Sequence, residues 1–249
     1  MATYFGIDFG TTNCAVHAIT AIGDGIDDEF DIGETDRRPL PSFVAIHRET
    51  GEVVTGLDAK GSIAEEDEYE VFSSIKTVIG EEREWIIAGK SWTPVDIAAE
   101  LFKALKRKAE NSTHDIMDEA VVAVPVGFSS RKKNNIRKAA LKAGIKVIMF
   151  VSEPTSAYCS RASEMRKYHN VAVFDWGGGT LDVVVLRITD NIVHELSSVG
   201  ITMAGNDIDR HLAERICMNV STRSGEDFAL EDLSPRVQLR LLQKCEQEI

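Results

Sequence analysis

Nothing in the chain supplies the raw material of a membrane anchor, a disulfide framework, a zinc knuckle or a nucleic-acid surface. No stretch approaches the roughly 18 consecutive apolar residues of a membrane span. The amino terminus enters an apolar run at Tyr4 without a basic segment or a small-residue cleavage site, which argues against export. Cys14, Cys159, Cys217 and Cys245 lie far apart with no paired spacing, so they read as ordinary reduced residues. Lys and Arg number 28 against 40 Asp and Glu, a formal charge of −12. A chain so short of cations is poorly suited to nonspecific nucleic-acid binding, which depends on neutralising phosphates. The expectation is a soluble, cytoplasmic protein with neither a nucleic-acid nor a membrane partner.

What is present is room and pattern. The 249 residues allow one large or two ordinary domains, and a hydrophobic fraction of 43% can fill real cores. Two short turns share a grammar: Gly6-Ile7-Asp8-Phe9-Gly10-Thr11-Thr12-Asn13 near the start, and Phe174-Asp175-Trp176-Gly177-Gly178-Gly179-Thr180 in the second half. Each follows an apolar run, places an Asp where that run ends, then offers small residues that can bend sharply and expose backbone N–H groups. Each resumes as a strand, Cys14–Ile19 and Leu181–Ile188. A carboxylate beside a concavity of donors suits a metal-bound polyphosphate: the amides take phosphate oxygens, and the Asp holds a hard cation directly or through its waters. Two copies point to a duplicated unit whose halves face each other across a nucleotide.

Between the turns the chain alternates strands and helices. Tyr4–Asp8, Cys14–Ile19 and Phe43–His47 read as meander strands, interrupted by an acidic stretch from Asp24 to Asp36. That stretch lacks EF-hand spacing and a closing Glu, so it reads as a solvated hairpin or loop. Thr93 as N-cap, Pro94 at the first position and Asp96 in the first turn open a helix to about Asn111, with Ile97, Leu101, Phe102 and Leu105 on one face. Ala120–Val124 reads as a buried strand ended by Pro125. Ser129 or Ser130 caps a basic helix through Leu141, ended by Gly144. Its cluster of Arg131, Lys132, Lys133, Arg137 and Lys138 reads as a solvated face. Ile145–Val151 is a further buried strand that delivers Glu153 and Pro154 to a helix start. There Glu153 is equally a capping carboxylate or an acid facing a phosphate and its attacking water.

These blocks, with Ile75-Lys76-Thr77-Val78-Ile79-Gly80, Ala123-Val124-Pro125, Glu153-Pro154-Thr155-Ser156-Ala157, Thr180-Leu181-Asp182 and Gly205-Asn206-Asp207-Ile208-Asp209, run in the order found in DnaK-type heat-shock chaperones. The chain resembles that family along its whole length. The resemblance implies an α/β, actin-like ATPase fold of two lobes, each built on a ribonuclease H-like unit, with ATP or ADP and Mg2+ between them. It implies a first lobe over residues 1–170, a smaller inserted subdomain at about 39–95, and an incomplete second lobe over 171–249. By the same resemblance Gly10, Thr11, Thr12 and Asn13 wrap the β- and γ-phosphates, Asp8 and Asp175 hold the magnesium through its waters, and Lys76 and Glu153 position the attacking water. Taken alone, Lys76 would be one surface lysine among many. Gly177, Gly178, Gly179 and Thr180 form the second phosphate turn, Asp175 and Thr180 join the catalytic set, Gly205 lies against the nucleotide, and Glu246 is the first adenosine-side residue.

The chain also departs from the family pattern. Asn206 stands where an acid is usual, Lys133 replaces a relay arginine and so lacks its planar fork, and the segment between Lys76 and Thr93 is short. Pro235 to Ile249 reads as an amphipathic helix in which the chain stops, ahead of the remaining ATPase lobe and peptide-binding domain of family members. The resemblance implies client polypeptides, a J-domain co-chaperone and a nucleotide exchange factor as partners. Two other readings share the phosphate turns: an actin-like filament-forming ATPase, and a non-hydrolysing nucleotide-sensing or interaction module.

Overall fold

The computed structural model describes residues 2–22, 25–34, 38–65, 67–165, 167–190 and 192–248. The chain opens with an antiparallel meander of β1 (Ala2–Phe9), β2 (Asn13–Ile22) and β3 (Gly25–Ile32), with Asp8 paired to Ala15. β4 (Leu40–Pro41) adds to β2, and a small sheet follows from β5 (Phe43–His47), β6 (Val53–Thr55) and, after α1 (Gly56–Gly61), β7 (Tyr69–Ser73). The short α2 (Ile75–Val78) and the hairpin β8 (Trp85–Ile87) and β9 (Lys90–Trp92) lead into α3 (Pro94–Thr113). β10 (Glu119–Val124), α4 (Ser130–Lys142) and β11 (Lys146–Ser152) then extend the first sheet in the order β11-β10-β1-β2-β3, with β10 parallel to β1 and β11 parallel to β10.

α5 (Glu153–Ser160) and α6 (Ala162–Met165) cross to a second antiparallel meander, β12 (Asn170–Trp176), β13 (Leu181–Thr189) and β14 (Ile192–Ile201), followed by α7 (Gly205–Ser224) and α8 (Pro235–Glu248). The two Asp-bearing turns therefore occupy the same topological place, the first hairpin of each meander. This is the duplication that the sequence motif suggested.

Local chemistry sets these elements. Thr93 and Asp96 close a reciprocal capping box on α3, Pro94 takes its first turn, and the chain leaves through His114 in left-handed backbone, φ 60°. The stripe of Ile97, Leu101, Phe102 and Leu105 is wholly buried against the first sheet. Phe102 stacks on Phe9 of β1, ring centroids 4.8 Å apart, so the helix braces the strand that ends beside Asp8. Ser129, rather than Ser130, caps α4.

Two expectations change. Phe43–His47 is a strand, but it pairs with β6 and β7 instead of joining the first meander. The third meander strand is β3, inside the acidic stretch that reads as a solvated hairpin or loop and here pairs as a hairpin with β2; residues 24, 35 and 36 of that stretch lie outside the described residues. The reason is two-residue alternation: Phe30 and Ile32 turn inward while Glu29 and Asp31 face water. The small sheet also reaches the C-terminal helices, because Leu239 of α8 packs on the cluster of Phe43, Ala45, Ala59 and Ile63.

Replacing the fully buried Phe102 with Ala removes the ring that backs Phe9. A loss of about 3–5 kcal/mol is expected in urea unfolding of the chain, the range for a large core truncation.

Candidate functional site

A cleft of about 730 Å³ lies where the two turns converge. Asp8, Gly10, Thr11, Thr12, Asn13, Lys76, Glu153, Asp175, Gly177, Gly178, Gly179, Thr180, Gly205 and Glu246, all singled out from sequence, line it. Asn206, Asp209, His17, Asp31 and Trp176 complete much of the wall.

The turns are built to approach each other. A Cβ on Gly178 would sit 2.5 Å from the Thr12 Oγ1 and 2.9 Å from the Asn206 Oδ1; one on Gly179 would sit 2.8 Å from the Thr11 Oγ1. None of these glycines, nor Gly10 or Gly177, has left-handed backbone, so what the site needs here is a missing side chain rather than a special φ. At Gly10 the space for a Cβ is taken by the carbonyl oxygen of Asn13. From behind, Ser42 pins the first turn: its hydroxyl donates to the Gly10 carbonyl at 2.9 Å and its amide to the Thr12 carbonyl at 2.8 Å. With those carbonyls held from behind, the turn's donors are left to face the cleft. The second turn is pinned by α7, whose Gly205 and Asn206 amides donate to the carbonyls of Gly177 and Gly178 at 3.1 and 2.8 Å. Gly205 thus reaches the cleft as a close-packing residue with its amide already used.

Below the turns lies a buried ion pair. Ser74 takes left-handed backbone, φ 53°, and turns the chain from β7 into α2, which buries Lys76 to 4% exposure. The Lys76 Nζ donates to the Glu153 Oε1. Glu153 is the first residue of α5, but Ser152 is the cap, so the carboxylate serves the cleft and not the helix end. Burial pushes the Glu153 carboxyl up to about 7; Lys76 opposes the rise, and Asp8 and Asp175 reinforce it. Asp175 is raised for the same reason, burial first and then Asp8 and Asp182. The Asp8 carboxyl is raised by burial in the cleft, with Lys76 opposing the rise.

Asp8 and Asp175 are the hard-oxygen donors that could hold a divalent cation. No cluster of three or more His, Cys, Asp or Glu with metal-ligand geometry occurs among the described residues, so a cation between these two carboxylates would keep most of its water, as magnesium does. On the far wall, burial and then Glu246 push Asp209 upward. Asp182 pairs with Asp175 across β12 and β13 and is wholly buried, neither oxygen having a hydrogen-bond partner within the structure. It fits because Gly200, opposite it on β14, leaves the space where a Cβ would meet its Oδ1.

Sequence reasoning missed Ser42, the 2.8 Å pair of His17 and Asp31, and Asp209. A polar residue opening an apolar strand was the available signal for Ser42. His17 and Asp31 are joined only by the β2–β3 register, which no local pattern discloses.

The raised Glu153 carboxyl carries a sign. Its folded value lies above its unfolded one, so the folded chain binds the extra proton between about pH 4.5 and 7, and the stability associated with this group falls as pH rises through that window. Urea titrations should therefore show Glu153→Gln gaining on the wild type across the window, by at most about 1.4 kcal/mol per pH unit.

A family model described as Hsp70 protein matches residues 82–248, more than half of the chain. The mitochondrial-type heat shock protein 70 of Encephalitozoon hellem is 30% identical over 248 residues, covering 90% of this chain and 41% of that protein. The chaperone protein DnaK of Thermosipho africanus (strain TCF52B) is 28% identical over 256 residues, covering 98% of this chain and 42% of that protein. The chain thus spans about two fifths of the length of these relatives. It belongs to the Hsp70 family, and its paired meanders form an incomplete version of that family's two-lobed, actin-like ATPase fold.

Proposed function

We propose that this chain binds ATP between its two turns and works, within a longer polypeptide, as the ATP-hydrolysing part of a DnaK-type chaperone. The observation that carries this reading is the close apposition of Thr11 and Thr12 with Gly179 and Gly178 in the cleft that the buried pair of Lys76 and Glu153 also lines. Residues 1–170 are the first lobe, with 39–95 as its inserted subdomain, and 171–249 belong to the second.

The turn residues Gly10 to Asn13 and Gly178 to Thr180 embrace the polyphosphate from two sides with amides and hydroxyls, the Gly177 amide closing its own turn on the Thr180 carbonyl at 2.9 Å, and Glu246 and Asp209 face the nucleoside. A hydrated magnesium ion held by Asp8 and Asp175 would neutralise phosphate charge. Lys76 presents its ammonium to the γ-phosphoryl as negative charge shifts during transfer, while Glu153 orients a water for in-line attack and takes its proton. The water oxygen bonds to the γ-phosphorus, the bond to the bridging oxygen breaks, and ADP and inorganic phosphate result. A carboxyl poised near 7 suits this exchange.

Closure of the lobes would report the nucleotide state to a client-binding domain carried elsewhere in the polypeptide. Client polypeptides, a J-domain co-chaperone and an exchange factor are the partners this reading calls for, with Lys133 in place of a relay arginine making that coupling weaker. No helix among the described residues is long and apolar enough to cross a membrane, and the cytoplasm is the compartment we assign. Family membership disfavours a filament-forming protein.

In the full-length protein, Lys76→Ala should reduce single-turnover ATP hydrolysis by at least about 100-fold, as loss of one buried charge stabiliser does, with nucleotide affinity changed only a few-fold. Undiminished turnover would remove Lys76 from the mechanism.

A further inference from the structure

A single residue joins the first sheet to the small one. Ser42 stands between β4, which pairs with β2, and β5, which opens the small sheet at Phe43. It is 2% exposed, and its polar groups are committed to the first turn, the hydroxyl donating to the Gly10 carbonyl at 2.9 Å and the amide to the Thr12 carbonyl at 2.8 Å. With its hydrogen on Gly10, the hydroxyl accepts from the Cys14 thiol at 3.2 Å. Burial pushes that thiol up to about 12, so it keeps the proton it donates. Without the hydroxyl, the Gly10 carbonyl would keep only the Cys14 Sγ, at 3.7 Å.

The next residue faces a different partner. Phe43 is buried in a cluster with Ala45, Ala59 and Ile63, and Leu239 of α8 packs on that cluster. β5 is paired on both sides, to β6 and to β7, so a displacement of its core moves the small sheet as a body. Phe43 and Leu239 also share the wall of a cavity of about 150 Å³ with Thr11, Thr12 and Glu246, which puts the α8 contact next to the first turn. The path between them is short: from Leu239 to the Phe43 cluster, from Phe43 to Ser42 through one peptide bond, and from Ser42 to Gly10 and Thr12 through two hydrogen bonds.

We propose that Ser42 is a positioning residue that carries the packing of α8 on the small sheet to the first phosphate turn, and so sets how tightly that turn holds a nucleotide. The effect on nucleotide rests on the reading above; the link between α8 and the turn does not. Ser42 lies behind the turn and is absent from the cleft wall, so it acts through Gly10 and Thr12 and not on a ligand directly.

The test compares the wild-type chain with Ser42→Ala, Leu239→Ala and the double variant. In 1H–15N spectra without nucleotide, Leu239→Ala should displace the amide resonances of Gly10 to Asn13. That displacement should be at least threefold smaller when residue 42 is already Ala, the residue 42 amide alone remaining as a link. Calorimetry with Mg·ATP should show Ser42→Ala weakening affinity about tenfold, the scale of one buried hydrogen bond, with Ser42→Thr near wild type. Leu239→Ala should weaken it a few-fold in the wild-type background and by less beside Ser42→Ala. A residue that only stabilises the fold would leave the Leu239→Ala effect the same size in both backgrounds. That outcome, or a first turn that does not respond to Leu239→Ala in the otherwise wild-type chain, would overturn the inference. Coupled resonances in a chain that takes no Mg·ATP would uphold the link and overturn the nucleotide reading instead.

Discussion

An ammonium and a carboxylate taken out of water each cost several kcal/mol to desolvate, and the pair of Lys76 and Glu153 is tolerable only because the two groups meet in good geometry. That meeting constrains much of the molecule. Lys76 arrives on a one-turn helix entered through the left-handed Ser74, while Glu153 arrives at the end of β11, the edge strand of the first sheet, where Ser152 caps the next helix in its place. Removing either partner leaves the other buried and alone. Burial is what holds the Glu153 carboxyl near 7 despite the adjacent ammonium, and the carboxylates of Asp8 and Asp175 add to it. A ligand that brought a cation to the two aspartates and negative charge to the lysine would relieve these raised carboxyls.

The second constraint is steric. Two meanders of the same topology bring their first hairpins together, and the contact is close enough that Thr11 and Thr12 occupy the space that side chains on Gly179 and Gly178 would need. Each turn is anchored from behind, one by Ser42 and the other by the first amides of α7. The two turns are thus held in place by bonds to their own carbonyls, and Leu239 of α8 packs on the cluster that contains Phe43. A cleft held this way can respond to ligand as a unit, because a shift in either turn is felt directly by the other.

Much of this was legible in the residues. The Asp and Gly spacing disclosed the paired turns, and Thr93, Pro94 and Asp96, with the Ser129–Ser130 pair, disclosed their helix starts because capping is a local matter of hydrogen bonds. Long-range pairing was not legible. The pattern of Phe43–His47 shows a strand but not its partners, and the acid content of β3 masked the alternation of Phe30 and Ile32. Lys76 stood out only through family resemblance, since nothing local says that a four-residue helix will carry it to Glu153, far along the chain. The glycine run was expected to permit close backbone approach to a ligand; in the fold, Gly178 and Gly179 also omit side chains where Thr12 and Thr11 come close, a contact that only the fold creates.

The chemistry proposed for this cleft depends on its taking a magnesium nucleotide. Isothermal titration calorimetry of this chain with Mg·ATP tests it most directly. One saturable site is predicted, weakened strongly when magnesium is chelated. No detectable heat at millimolar nucleotide, with no accompanying thermal stabilisation, would contradict the account.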